Sequence, residues 1–303
     1  LQKNGANGFI FALLLFVVAL WGLNIVMVKY LTTFYPPLAL APLRLSLATG
    51  LLLPTVLWKY GWHMPPRAAW LPIAGVATCS IFLHQLTMTW GLTATSATHA
   101  ALILGLNPLL TTLLAIYLVD EPLTVPKALG IILGFGGVLL VVYDKAAGTV
   151  TLLGDAVMFL SMTMFVIGSL FVKKGTALVS PLVITAYSHV LGSVGLLILG
   201  FFMNPVWSYA GAGDPLPVAV LLFSSLVNTA LGAVWWNTGI QRVGASMTSL
   251  FQNGIPVFGV FFSALFLGES LGWAHLAALA LVFLGVSLGS GVINIRQKDR
   301  EGA

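Results

Sequence analysis

Continuous apolar runs of about 20 residues alternate with short polar connections along the whole chain. A bilayer hydrocarbon core of about 30 Å, crossed at 1.5 Å per helical residue, needs runs of that length. They fall at 8–29, 38–58, 68–91, 96–119, 126–143, 153–172, 181–203, 216–239, 244–267 and 272–292. The connections carry helix breakers: Tyr35-Pro36-Pro37, Met64-Pro65-Pro66, Glu121-Pro122, Ser180-Pro181 and Asp214-Pro215-Leu216-Pro217. No run alternates with period two, which argues against a strand barrel. The pattern predicts an all-α polytopic membrane protein with ten transmembrane helices. The first run follows Lys3, but it is long for a signal peptide and lacks a small-residue cleavage site, so a retained helix is expected.

Composition sharpens this picture. Only 7% of the 303 residues are charged and 59% are hydrophobic, whereas a soluble protein carries about 25% charged residues. That excludes an ordinary soluble domain, a nucleic-acid binder and a disordered chain; the lipid bilayer is the expected surrounding and no nucleic acid is expected as partner. Cys79 is the single cysteine, so neither an intramolecular disulfide nor a cysteine-built metal site can form. The net charge of +5 is unevenly spread. Lys3, Lys59, Arg67, Lys127, Lys173, Lys174, Arg242, Arg296, Lys298 and Arg300 fall in one set of connections and tails, against Lys29 and Lys145 in the other. This bias predicts cytoplasmic N- and C-termini.

The chain also repeats itself. Lys29 and Pro37 recur as Lys173 and Pro181 at a shift of 144. Gly91, Ala97, Pro108, Glu121 and Gly137-Val138 recur as Gly239, Ala245, Pro256, Glu269 and Gly285-Val286 at a shift of 148. Two units are expected, 1–147 and 148–303, forming one structural unit. Each holds five helices, an odd number, so the second enters the membrane from the opposite side. Inverted repeats of this kind are typical of secondary transporters, with the solute site near the midplane between them.

Trp21-Gly22-Leu23-Asn24, Lys29, Pro36-Pro37 and Arg44 resemble the opening of the EamA-type domain of the drug/metabolite transporter superfamily. So does the stretch from Thr95-Ser96-Ala97 through Asn107-Pro108 to Asp120-Glu121-Pro122-Leu123, followed by Gly130 to Gly137. The second half repeats it more loosely in Gly244-Ala245-Ser246, Pro256, Gly268-Glu269 and Gly285. Within that superfamily the chain is most similar to ten-helix amino acid exporters of the YddG type. The resemblance implies a bacterial inner-membrane exporter of aromatic and other neutral amino acids, working by alternating access. Gly168, Ser169 and Ser188 stand where Asn24, Ile25 and Arg44 stand in the first half, so roles given to Asn24 or Arg44 are asymmetric.

Polar side chains inside a membrane usually face a bundle interior or a wet cavity. Ser80, His84, Thr87 and Gly91 share one face of the third run, and the shift maps them onto Asn228, Gly232, Trp235 and Gly239. These faces are candidate cavity walls; helix–helix packing is the alternative. Asn107 before Pro108, and Gln252-Asn253 before Pro256, are candidates because proline frees backbone carbonyls one turn earlier. Trp21 maps onto Phe165, offering an aromatic in each half, with Asn24 one turn beyond Trp21; Tyr187 and His189 complete the set. Arg44 could snorkel, pair with Glu269 or attract a carboxylate solute, and a structural ion pair with Glu269 is the favoured expectation. Glu121 and Glu269 are expected to stabilise short turns, with gating as the alternative. Pro108 and Pro256 are candidate hinges.

No acid lies at mid-span and no phosphate-binding glycine loop occurs. Facilitated transport without ATP is therefore expected, with coupling to protons through His84, His99 or His189 as the alternative. Amphipathic drugs or other metabolites are the alternative solutes. An intramembrane enzyme would need a nucleophile and base; Ser80 and His84 stand at i and i+4, but no Gly-x-Ser-x-Gly, His-Glu-x-x-His or paired in-membrane aspartate supports that reading. A channel calls for a ring of like groups. No cofactor and no metal are expected. Gly130xxxGly134 and Gly285xxxGly289 suggest close helix contacts within the chain, hence a monomer, with a dimer seam as the alternative.

Overall fold

A computed structural model describes residues 2–61, 64–118, 124–142, 150–203, 206–243, 248 and 251–289. Glu121 and the Gly244-Ala245-Ser246 motif lie outside the described residues. Among the described residues six helices are long and apolar enough to cross a membrane: α1 (Phe9–Leu31), α2 (Pro37–Tyr60), α3 (Arg67–Ala94), α6 (Leu152–Thr176), α7 (Pro181–Met203) and α8 (Pro215–Val243). The other apolar runs appear as shorter helices, α4 (Ala97–Thr111), α5 (Ala128–Leu140), α9 (Phe251–Leu267) and α10 (Trp273–Gly285). No strand occurs among the described residues.

Local sequence explains the ends and breaks. The Pro36-Pro37 pair starts α2 where a missing N–H costs nothing. Between α1 and α2 the Tyr35 hydroxyl donates to Ala212 O (2.8 Å), and burial pushes its pKa up. Ser96 caps α4 by accepting from His99 N (3.0 Å). The expected continuous fourth run is interrupted at Gly105-Leu106, because Pro108 has no N–H to give to Leu104 O. Gly268, at φ 64°, ends α9 with a left-handed cap whose N–H bonds Ser263 O. Within α3 the segment Ala77–Leu83 is π-helical, and so is Phe223–Leu231 within α8. Shifted by 148, the first falls inside the second, so both halves widen their helix at the same place.

Packing between the halves follows a reciprocal plan. Helix α2 packs on α7, α4 on α9 and α5 on α10, while α1 lies against α9 and α8, and α6 against α4 and α3. Replacing each helix by its counterpart in the other half leaves this scheme unchanged. Small residues set the closest approaches. A Cβ on Gly285 would lie 2.6 Å from Gly130 O and from Gly134 N, so the two glycine motifs meet each other inside one chain along the α5–α10 seam. A Cβ on Gly22 would lie 2.6 Å from Phe258 Cβ, which brings α1 onto α9.

One end of the bundle is tied by polar contacts. Lys29 Nζ, in the last turn of α1, donates to Leu92 O and Thr95 O, each at 2.7 Å. Thr95 Oγ1 donates to Asp155 Oδ1, and His99 Nδ1 lies 3.2 Å from Asp155 Oδ2. Thr151 N donates to Ala94 O at 2.9 Å. Glu269 reaches from the second half to accept from Ala97 N (2.8 Å) and Thr98 N (2.9 Å) at the start of α4. These bonds join α1, α3, α4, α6 and the end of α9 at one level.

Candidate functional site

A cavity of about 130 Å³ lies among α1, α3, α4, α6, α7, α8 and α9. Its lining is mainly apolar. Ile25, Val76, Met88, Val172 and Ile255 contribute aliphatic surface, and Trp21, Phe165 and Trp236 contribute rings. Trp21 stands edge-on to Phe165 at 5.8 Å between centroids and tilted to Trp236 at 4.7 Å. The aromatic pair drawn from both halves is thus in mutual contact.

The structure brings together Trp21, Asn24, Ser80, His84, Asn107, Phe165, His189 and Asn228 around this space. It does not bring Thr87, Tyr187, Trp235, Gln252 or Asn253 there. The Thr87 hydroxyl donates back to Leu83 O (2.6 Å), Tyr187 packs edge-on to Trp70, and Trp235 lies against Phe16. Gln252 is buried and Asn253 half-buried, both outside the lining. Gln85, Ser169, Thr185, Ser188, Thr229, Trp236 and Asn237 line the cavity in addition. The π-helical segments explain part of the difference. Each holds extra residues per turn, which rotates the following residues relative to regular helical spacing. Hence Gln85 rather than Thr87, and Trp236 rather than Trp235, turn inward.

Several polar side chains are held by the protein and keep one group free. His84 Nδ1 lies 3.0 Å from Ser161 O and 2.8 Å from Ser161 Oγ. A carbonyl only accepts, so Nδ1 carries the proton and Nε2 is an acceptor in the neutral ring. His189 Nδ1 donates to Thr185 O (2.7 Å) in the same way, leaving Nε2 buried without a partner. Asn228 Nδ2 donates to Leu20 O (2.8 Å), which fixes the amide and leaves Oδ1 without a partner. Asn107 Oδ1 is likewise unpartnered.

Arg44 is fully buried, and its partners differ from the expectation. Its Nε donates to Ser224 Oγ (2.9 Å), Nη1 to Gln85 Oε1 (3.3 Å), and Nη2 to Asn24 Oδ1 (3.2 Å) and Thr229 Oγ1 (3.1 Å). The expected pair with Glu269 does not form, because that carboxylate is engaged by backbone N–H groups at the start of α4. Among the described residues, no carboxylate faces the guanidinium. Glu269 therefore joins the two halves rather than stabilising only its own turn. Pro256 packs against Gly105, where a Cβ would lie 2.7 Å from its Cγ, so the two helix breaks touch. Among the described residues no cluster of His, Cys, Asp or Glu is arranged to hold a metal.

The model of the EamA-like transporter family matches twice, at residues 8–143 and 152–290. The chain is 33% identical to the uncharacterized transporter YyaM of Bacillus subtilis over 281 residues, 88% of each chain. It is 27% identical to an uncharacterized transporter of Archaeoglobus fulgidus, over 89% of this chain and 94% of that one. A solved crystal structure at 18% identity superposes with a TM-score of 0.67, covering 93% of this chain and 98% of the other, and so shares its fold.

Proposed function

The chain belongs to the EamA-like transporter family, and we propose that within it this protein is a secondary carrier exporting a small, largely apolar solute across a bacterial inner membrane by alternating access. Aromatic and other neutral amino acids are the solutes we favour, in line with the resemblance to YddG-type exporters. The observation that carries the reading is the central cavity. Both halves contribute to it, rings and aliphatic side chains make up most of its exposed wall, and several of its polar side chains are held by protein hydrogen bonds while keeping one atom without a partner. An apolar pocket with a few placed polar groups is the usual form of a small-molecule site.

Alternating access is supported by the reciprocal packing of the two units, 1–147 and 148–303, with inverted topology. The polar ties at the Lys29 end lie beyond the cavity and act as a closed gate; the lysine and arginine bias puts that gate on the outer face and both termini in the cytoplasm. Transport runs down the solute gradient without ATP. The experiment is counterflow of labelled tryptophan, phenylalanine, leucine and lysine into proteoliposomes without an imposed ion or pH gradient. Accumulation of the first three but not lysine is expected. Accumulation of lysine alone, or of none from folded protein, would overturn the solute assignment.

A further inference from the structure

The polar atoms around the cavity are of two kinds by their hydrogen bonds. Asn24 and Gln85 give their amide oxygens to Arg44. Asn24 Oδ1 also accepts from Ser224 Oγ at 2.7 Å. With the oxygens so engaged, each amide presents its NH2 group, and both side chains line the cavity. Thr229 accepts from the same guanidinium and donates to Ser224 O, so its hydroxyl has no proton left to offer. The guanidinium is fully buried with neutral partners only among the described residues. Its charge stands behind the two NH2 groups uncompensated, in surroundings that screen it poorly. Elsewhere in the lining the unmet atoms are acceptors: Asn107 Oδ1, Asn228 Oδ1 and His189 Nε2. Buried acceptors of this kind are costly unless a ligand or water donates to them.

We infer that the cavity recognises a solute by two opposite ends: a carboxylate seated on the NH2 groups of Asn24 and Gln85, with Arg44 as the positioning residue behind them, and an ammonium donating to Asn107, Asn228 and His189. This deepens the carrier reading above and rests on it. Arg44 makes no direct bond to the solute. It orients two amides and supplies positive potential, so neutral side chains do the contacting. The remaining apolar and aromatic surface holds the body of the solute.

The test is direct binding of four tritiated compounds sharing one ring to the full chain in nanodiscs: tryptophan, tryptamine without the carboxylate, indole-3-propionate without the ammonium, and 3-methylindole with neither. Tryptophan is expected to bind at least about tenfold tighter than each of the other three, the size of one charged hydrogen-bonded group. Gln85→Met keeps the volume and should bring tryptophan down to the affinity of tryptamine while leaving tryptamine unchanged. Asn24→Asp is isosteric; it gives Arg44 an internal carboxylate and should reverse the order, so that tryptamine binds tighter than tryptophan. Equal weakening of all four compounds by Gln85→Met, or an unchanged order in Asn24→Asp, would overturn the inference. So would equal affinity of the native protein for 3-methylindole and tryptophan. Binding of none of the four overturns it too, whereas the carrier reading stands or falls on the counterflow measurement.

Discussion

Glu269→Ala removes a carboxylate that accepts from two backbone N–H groups, Ala97 N at 2.8 Å and Thr98 N at 2.9 Å. Both donors belong to the first turn of α4, where no intrahelical partner exists. A hydrogen bond to a charged group contributes about 1.5–3 kcal/mol, and an anion at a helix N-terminus about 0.3–1 kcal/mol more. Glu269 is half-buried, so water can replace part of this once the side chain is gone. A loss of about 2–4 kcal/mol is the estimate after that discount. Glu269→Gln keeps one acceptor and should lose about half as much. The assay is thermal unfolding in detergent followed by intrinsic tryptophan fluorescence, together with hydrogen exchange at the start of α4. The unfolding temperature should fall by several degrees in the alanine variant and less in the glutamine variant. Exchange should rise first at residues 97–99, since the bond crosses between the halves. An unchanged unfolding temperature with unchanged exchange there would refute the idea that Glu269 ties the second half to the first.

Three other outcomes follow from named contacts. Asp155→Asn and His99→Asn, made singly and together, should show a coupling above about 0.5 kcal/mol in unfolding free energy, because the two side chains meet at 3.2 Å in a buried site; additive losses would contradict a direct pair. Gly285→Leu forces side-chain atoms onto the backbone of Gly130 and Gly134 and should destabilise the folded protein by about 1–3 kcal/mol or more, read as a lower unfolding temperature. Trp21→Ala removes ring contacts to Phe165 and Trp236, each worth about 0.5–1.5 kcal/mol; ring-bearing solutes should lose more affinity in counterflow competition than leucine does.

The apolar runs, the breaker prolines and the internal repeat were legible because a bilayer imposes length and composition on each crossing. The glycine seam was legible for a similar reason: small residues four apart leave a mark at fixed spacing, and Gly130, Gly134 and Gly285 meet as that spacing implies. Glu269 was not, since the start of a distant helix offers backbone N–H groups that have no side-chain signature, while Arg44 offered a visible opposite charge. The inward faces of α3 and α8 were half legible. Ser80, His84 and Asn228 lie at or before the point where the π-helical segments have turned the helix, and they reach the cavity; beyond it the regular spacing points to Thr87 and Trp235, one side away from Gln85 and Trp236. A π-helical turn has no residue code that the apolar pattern reveals. The lining from α7 takes Ser188 and His189 but not Tyr187 from three adjacent polar residues, and packing of α7 against α2, α3 and α8 decides among them.

A carrier of this kind works only if the cavity is reached from each side of the membrane in turn. Ser169 lines it and is half-buried, so Ser169→Cys in a Cys79→Ser background places one thiol there. Labelling by a membrane-impermeant maleimide is then measured in right-side-out and inverted vesicles, with and without a saturating solute that the counterflow assay has identified. Labelling from both sides, slowed by that solute in each orientation, is the expected result. Labelling from one side alone under every condition, untouched by solute, would contradict a carrier that works through this cavity.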